Sequence, residues 1–147
     1  MDAVILHHAS CLDGFTSAYY LHNYFVSLKK YTNIDVVPMQ YGQPIVADIA
    51  GKDVVVVDFS FKRGNMINLA KEANSFVVLD HHQTAEVELH GVDFCFFDPG
   101  RCGVQLACDY IAAHRHAPSL PVAELLSRMS CRRKEEYPLL VQYVADR

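Results

Sequence analysis

Tryptophan is absent from this sequence, no two cysteines are spaced as Cys-x-x-Cys, and neither sign of charge dominates. Each shortage excludes something. The five cysteines, Cys11, Cys95, Cys102, Cys108 and Cys131, are odd in number and scattered, so a disulfide framework or a structural zinc site has no support and reduced thiols are expected. The net charge is -4; that balance gives no field to coat nucleic acid, and any contact with it must be local. No apolar stretch approaches the roughly 18 residues of a membrane span, and the short run after Met1-Asp2 lacks the basic region of a secretion signal. A cytoplasmic protein without membrane contact is expected. Glycine is sparse, at 7 residues, and no G-x-G-x-x-G or Walker-type loop follows an apolar run, which argues against a plain nucleotide-binding domain.

What the sequence does have is apolar runs that stop abruptly at polar residues. With 51% hydrophobic residues in 147, and no repeat, low-complexity tract or linker, one domain with a sizeable core is expected. Ala3 to Leu6 read as a buried strand ending in His7-His8-Ala9-Ser10-Cys11-Leu12-Asp13-Gly14. Ala18, Leu21, Tyr24, Phe25 and Leu28 then recur at three- and four-residue steps, predicting a helix from near Asp13 to Lys30. Further strands are expected at Ile34 to Met39, Val54 to Val57, Phe76 to Leu79 and Val92 to Phe97. Helices are expected at Gly64 to Ala73, Val104 to His114 and, after Pro118 and Pro121, Leu120 to Ser130. Alternating strands and helices with continuous apolar strands predict an α/β, doubly wound, mainly parallel sheet with helices on both faces, and ligands at the carboxyl ends of the strands.

Three of those strands end in polar clusters: His-His-x-x-Cys-x-Asp, Asp58, and Asp80-His81-His82. A single Asp after a strand is as often a helix cap as anything more, but three strand-terminal groups converging on one sheet edge suit a divalent-metal site. Bridging carboxylates, imidazoles and open positions for water are what a pair of ions requires. Asp58, on the middle element, is the expected bridge.

Asp80-His81-His82-Gln83-Thr84-Ala85 after an apolar strand resembles the signature of the DHH phosphoesterase superfamily, which includes RecJ-type exonucleases, nanoRNases, oligoribonuclease-like enzymes and family II inorganic pyrophosphatases. Val55 to Phe61 resembles its second motif and His8 to Phe15 its first. Asp98 to Leu106 resembles the loop and helix start that usually read Ser-Gly-Ala, and Tyr143 to Arg147 the helix delivering the last metal-binding aspartate. The resemblance implies two ions, Mn2+ in the first place with Mg2+ as the alternative. One would be held by the first-motif histidine (His8, or His7 by another spacing), Cys11 and Asp58, and the second by Asp13, Asp58, His81 and Asp146. It further implies His82 facing the phosphate with Arg101 and Gly103 in substrate binding, Asp80 orienting a ligand histidine, and a two-metal-activated hydroxide attacking phosphorus.

The sequence departs from the family pattern in two ways. Many members carry Asp where Cys11 stands, and a soft thiol matches manganese or magnesium poorly. Members usually continue into a smaller C-terminal domain that grips substrate; this chain stops at Arg147, so the reading expects a fragment, or a minimal member that binds substrate with the help of another subunit. The resulting expectation is a phosphodiester hydrolase, exonuclease-like, acting on short oligonucleotides or a related nucleotide. A pyrophosphatase-like hydrolase and a catalytically inactive binding module stand as alternatives. Phe15, Phe59 and Phe61 are candidates to stack on bases, though packing explains them equally. The basic run Arg128, Arg132, Arg133, Lys134 reads as a solvated helix end.

Overall fold

The computed structural model describes residues 1–45 and 47–146. In chain order the elements are β1 (Ala3–His8), α1 (Leu12–Leu28), β2 (Ile34–Met39), β3 (Asp53–Val57), α2 (Arg63–Glu72), β4 (Ser75–Asp80), α3 (Gln83–Glu88), β5 (Cys95–Phe97), α4 (Gly103–His116), α5 (Val122–Ser127) and α6 (Leu139–Ala145), with a single 3-10 turn at Lys134–Glu136 before α6. The strands form one all-parallel sheet in the order β2-β1-β3-β4-β5. Among the described residues no helix is long and apolar enough to cross a membrane.

Alternation within the continuous apolar runs explains why both faces are covered. Ile5, Val55, Val57, Val77 and Leu79 pack against Leu21 and Phe25 of α1, Leu106 of α4 and Leu125 of α5. Val4, Leu6, Val54, Val56 and Val78 pack on the opposite side with Met66 of α2 and Leu89. β2 is an edge strand, half exposed along its length, which is where Pro38 can sit without breaking a central ladder.

Register levels the strand ends. His7 lies opposite Val57, and Val57 opposite Leu79, so His8, Asp58 and Asp80 emerge side by side at the carboxyl edge. The strand order reverses between β1 and β3, which opens a crevice at that edge. Gly14 brings α1 down onto it: a Cβ there would lie 2.5 Å from the His8 carbonyl oxygen, so only glycine lets the helix start so near the strand end.

Two expected elements are shorter than anticipated and a third element was not anticipated. The strand expected over 92–97 is reduced to Cys95–Phe97, because the Val92 and Cys95 N–H groups turn back onto the carbonyls of Leu89 and Val92. The helix expected over 120–130 is reduced to Val122–Ser127, with Pro121 at its N-cap and three-residue turns at Arg128 and Met129. α3 has no buried residue, so no apolar period announces it.

Gly14→Ala is expected to shift the urea unfolding midpoint down by the equivalent of about 1–3 kcal/mol, the usual cost of overpacking. Gly64→Ala, where a Cβ meets open space on α2, is expected to leave stability unchanged or raise it by about 0.5–1 kcal/mol.

Candidate metal centre and its cleft

Asp58 follows β3 with φ of 58°, a left-handed backbone that Asp tolerates better than most side chains and that concentrates at functional sites. Its N–H still extends the ladder to the Leu79 carbonyl, at 2.9 Å, while its carboxylate, on a residue only 1% exposed, faces two ways. Oδ1 lies 2.6 Å from His81 Nε2; Oδ2 accepts from the Cys11 thiol at 3.2 Å and lies 3.8 Å from His8 Nδ1. Two sets of donors result, His8 with Cys11 and Asp58, and Asp58 with Asp80, His81 and His82, each with ligand atoms within 4.8 Å of one another. Asp58 is common to both.

Asp80 is buried and its oxygens are occupied. Oδ1 accepts from the His81 backbone N–H at 2.8 Å and faces His82 Nδ1 at 2.7 Å; Oδ2 accepts from Ser60 Oγ at 2.7 Å. A carboxylate only accepts, so His82 carries its hydrogen on Nδ1 and keeps Nε2 for a further partner. Ser60, whose role was not anticipated, thus fixes Asp80 from the second motif. Its closeness in sequence to Asp58 was the one available signal.

Asp13 lies on the first turn of α1, and its two oxygens accept the N–H groups of Gly103 and Val104, at 2.7 and 2.8 Å. These are orphan donors at the N-terminus of α4, whose partial positive charge suits a carboxylate. Asp13 therefore caps a helix 90 residues away in sequence while its Oδ2 stays 3.4 Å from His81 Nε2. Gly103 makes the approach feasible: a Cβ there would fall 2.9 Å from the Asp58 Cβ and 3.2 Å from Asp13 Oδ2.

Several residues expected at the site are placed differently. The Gly103 N–H is committed to Asp13 rather than held open for substrate. Arg101 turns inward, where Asp98 takes its Nε at 2.7 Å and buried Asp109 takes Nη1 at 2.8 Å; a guanidinium so matched has little left for a phosphate. Asp146, 58% exposed at its side chain, pairs with Lys134 at 2.7 Å and joins neither donor set among the described residues. Arg147, in the same expected motif, lies outside the described residues. Of the two competing histidines, His8 is the one in a donor set; His7 is buried, facing its neighbour's carbonyl through Nδ1. In the basic run Arg132 is paired with Asp109, Arg133 with Glu136 and Lys134 with Asp146.

The donor set fits a divalent cation. Burial would raise the Asp58 carboxyl, but hydrogen bonds from His81 and Cys11 reverse this and hold it low. Burial and the Asp58 charge push Asp13 up against its N–H donors, and the hydrogen bond to Asp58 raises His81. Carboxylates thus crowd around His81, and a cation would relieve their mutual repulsion.

Beside this centre opens a cleft of about 650 Å³, walled by Gln40, Tyr41, Phe59, Ser60, Phe61, Lys62, Asn65 and Thr84 among others. Tyr41, another residue not anticipated, stacks on Phe59 at 4.5 Å and meets the His8 ring edge-on at 5.4 Å. Burial, with the Asp80 and Asp58 charges, pushes its phenol up to about 12. Phe59 is itself buried in the core, which leaves exposed Tyr41 and half-buried Phe61 as the rings offered to the cleft.

In the metal-free protein the His81–Asp58 pair contributes stability that is complete below the ordinary imidazole value of 6.5 and lost as pH rises through the raised one. On the acid side, the Asp58 contribution is lost as pH falls through its lowered value. The stability difference between wild type and His81→Gln, from urea unfolding with chelator across pH, is expected to peak at mildly acidic pH and shrink on both sides. Mn2+ binding is expected to strengthen with pH and to release a proton, measurable by calorimetry in buffers of different ionisation heat.

Comparison with known proteins agrees with this geometry. Residues 3–130 match the model described as DHH family, N-terminal domain. An uncharacterized protein of Acanthamoeba polyphaga mimivirus is 29% identical over 141 residues, covering 88% of this chain and 32% of that protein. A crystal structure of an uncharacterized protein from Helicobacter pylori superposes with a TM-score of 0.58 at 18% identity, over 78% of this chain and 37% of the other, a likeness of fold. The chain thus spans about a third of the length of these relatives. With the motif order, the parallel sheet and the Asp58-centred donors all in agreement, the chain belongs to the DHH family of metal-dependent phosphoesterases.

Proposed function

We propose that this domain hydrolyses phosphodiester bonds in short oligonucleotides or a related nucleotide. The observation that carries the reading is the cleft itself, which adjoins the Asp58 centre and offers an aromatic ring, amides and one lysine rather than a dense cationic cage. Base stacking on an aromatic face contributes about 1–3 kcal/mol per base, and Tyr41 is set to supply it. Pyrophosphate, by contrast, needs many cations to balance its charge, and Arg101 is already neutralised by Asp98 and Asp109.

His8, Cys11 and Asp58 would hold one ion, and Asp58 with His81 and Asp13 the other. The ions, when bound, would activate water and offset charge on the phosphoryl oxygens. The chain's own side chains do the rest. Asp80 fixes the orientation of the His82 ring, which would face the phosphate, and Ser60 fixes Asp80. Asp58 keeps the two donor sets at one spacing, and Lys62 adds a cation at the cleft wall.

The test is hydrolysis of labelled two-to-five-nucleotide RNA and DNA, with manganese supplied or chelated. Manganese-dependent cleavage is expected, reduced at least about a hundredfold in Asp58→Ala and His81→Ala, and about tenfold to a hundredfold in Ser60→Ala through loss of outer support. Metal bound without cleavage of any such substrate, or cleavage untouched by Asp58→Ala, overturns the reading; the former outcome favours a binding module.

A further inference from the structure

The two donor sets that meet at Asp58 are chemically unlike. On the His81 side every donor is oxygen or nitrogen, whereas the other set is one imidazole, one thiol and one carboxylate oxygen. We propose that the centre is built for two different metals: a borderline ion of the Zn2+ or Co2+ class bound through the Cys11 thiolate with His8 and Asp58, and a harder Mn2+ or Mg2+ ion on the His81 side. This assignment rests on the metal-dependent reading above and adds the identity class of each ion.

Sulfur is the deciding atom. Thiolates prefer soft and borderline ions, while carboxylates and water suit manganese and magnesium. Zinc bonds of ~2.3 Å to sulfur and ~2.0–2.2 Å to nitrogen or oxygen span tetrahedral edges of roughly 3.5–3.7 Å from sulfur to oxygen and roughly 3.3–3.5 Å from nitrogen to oxygen. The observed separations, 3.2 Å from Cys11 Sγ and 3.8 Å from His8 Nδ1 to Asp58 Oδ2, each fall within about 0.5 Å of the corresponding edge, and the ligand atoms of all three residues lie within 4.8 Å of one another, so small side-chain adjustments bring them into one coordination shell. Three protein ligands with a fourth position open is the arrangement of catalytic rather than structural zinc.

The site is also held in place. Cys11 is the N-cap of α1 with extended backbone, φ −130° and ψ 124°, so its side chain is set by the strand-to-helix turn rather than by a mobile loop. His8 is braced edge-on by Tyr41 and tilted against Phe59. Cys95, Cys102, Cys108 and Cys131 join neither donor set among the described residues, so Cys11 is the thiol that stands among other metal-ligand donors. On binding, the Cys11 S–H bond is replaced by a sulfur–metal bond and the proton leaves to solvent, with no change of oxidation state.

Cobalt is the probe. Chelated, reduced protein titrated with Co2+ is expected to develop the near-ultraviolet thiolate-to-cobalt charge-transfer band, saturating at one equivalent. The band should vanish in Cys11→Ser and Cys11→Asp and persist in Cys102→Ser. Any N/O site favours zinc over manganese, so the second readout is a change in preference. Protein equilibrated with both ions, desalted and measured by elemental mass spectrometry is expected to show a zinc-to-manganese ratio about tenfold or more lower in Cys11→Asp than in wild type. Cobalt bound without the band, or a ratio unmoved by Cys11→Asp, overturns the assignment and leaves the phosphoesterase reading standing. No cobalt bound at all overturns both.

Discussion

A carboxylate taken out of water must find compensating partners, because desolvation of an isolated charge costs more than a fold can tolerate. Around Asp58, itself just past β3, those partners come from two flanking strand ends: His8, the last residue of β1, with Cys11 just beyond it, and His81 after β4. None of them could reach it if the strands were out of register, and Asp58 itself could not face both ways without its left-handed backbone. Much of the surrounding structure can be read as what makes that one side chain sustainable.

The supports are layered outward. Asp80 and Ser60 hold the histidines from below, and Asp13 holds the N-terminus of α4 against the same site. The loop before α4 is pinned by Arg101 between Asp98 and Asp109, and Tyr137 donates to the same Asp109 at 2.8 Å. Arg101 thus helps to hold the frame on which Asp13 depends. The cleft beside it carries Tyr41 and neutral amides on its wall, with Lys62 and Glu88 of opposite charge.

The parallel sheet was legible because its strands are buried on both faces, so that Val54-Val55-Val56-Val57 and Phe76-Val77-Val78-Leu79 carry continuous rather than alternating apolar character. The chemistry was legible because polar clusters interrupt those runs at their carboxyl ends. α3 was not legible: a six-residue helix with no buried side chain has no apolar face to announce it. Tyr41 and Ser60 were not legible as site residues either, since nothing local distinguishes a tyrosine in a loop or a serine after a strand from a surface residue.

By itself, then, the sequence determined the succession of strands and helices and the residue types at each strand end, because both depend on local pattern and on which side chains avoid water. Only the tertiary structure decided which of those groups meet. It set His8 rather than His7 beside Asp58, gave Asp13 to the N–H groups of α4, turned Arg101 inward and paired Asp146 with Lys134. The physical reason is that a polar side chain is satisfied by whatever charge or hydrogen-bond partner packing brings within about 3 Å, and packing joins residues that local sequence never compares.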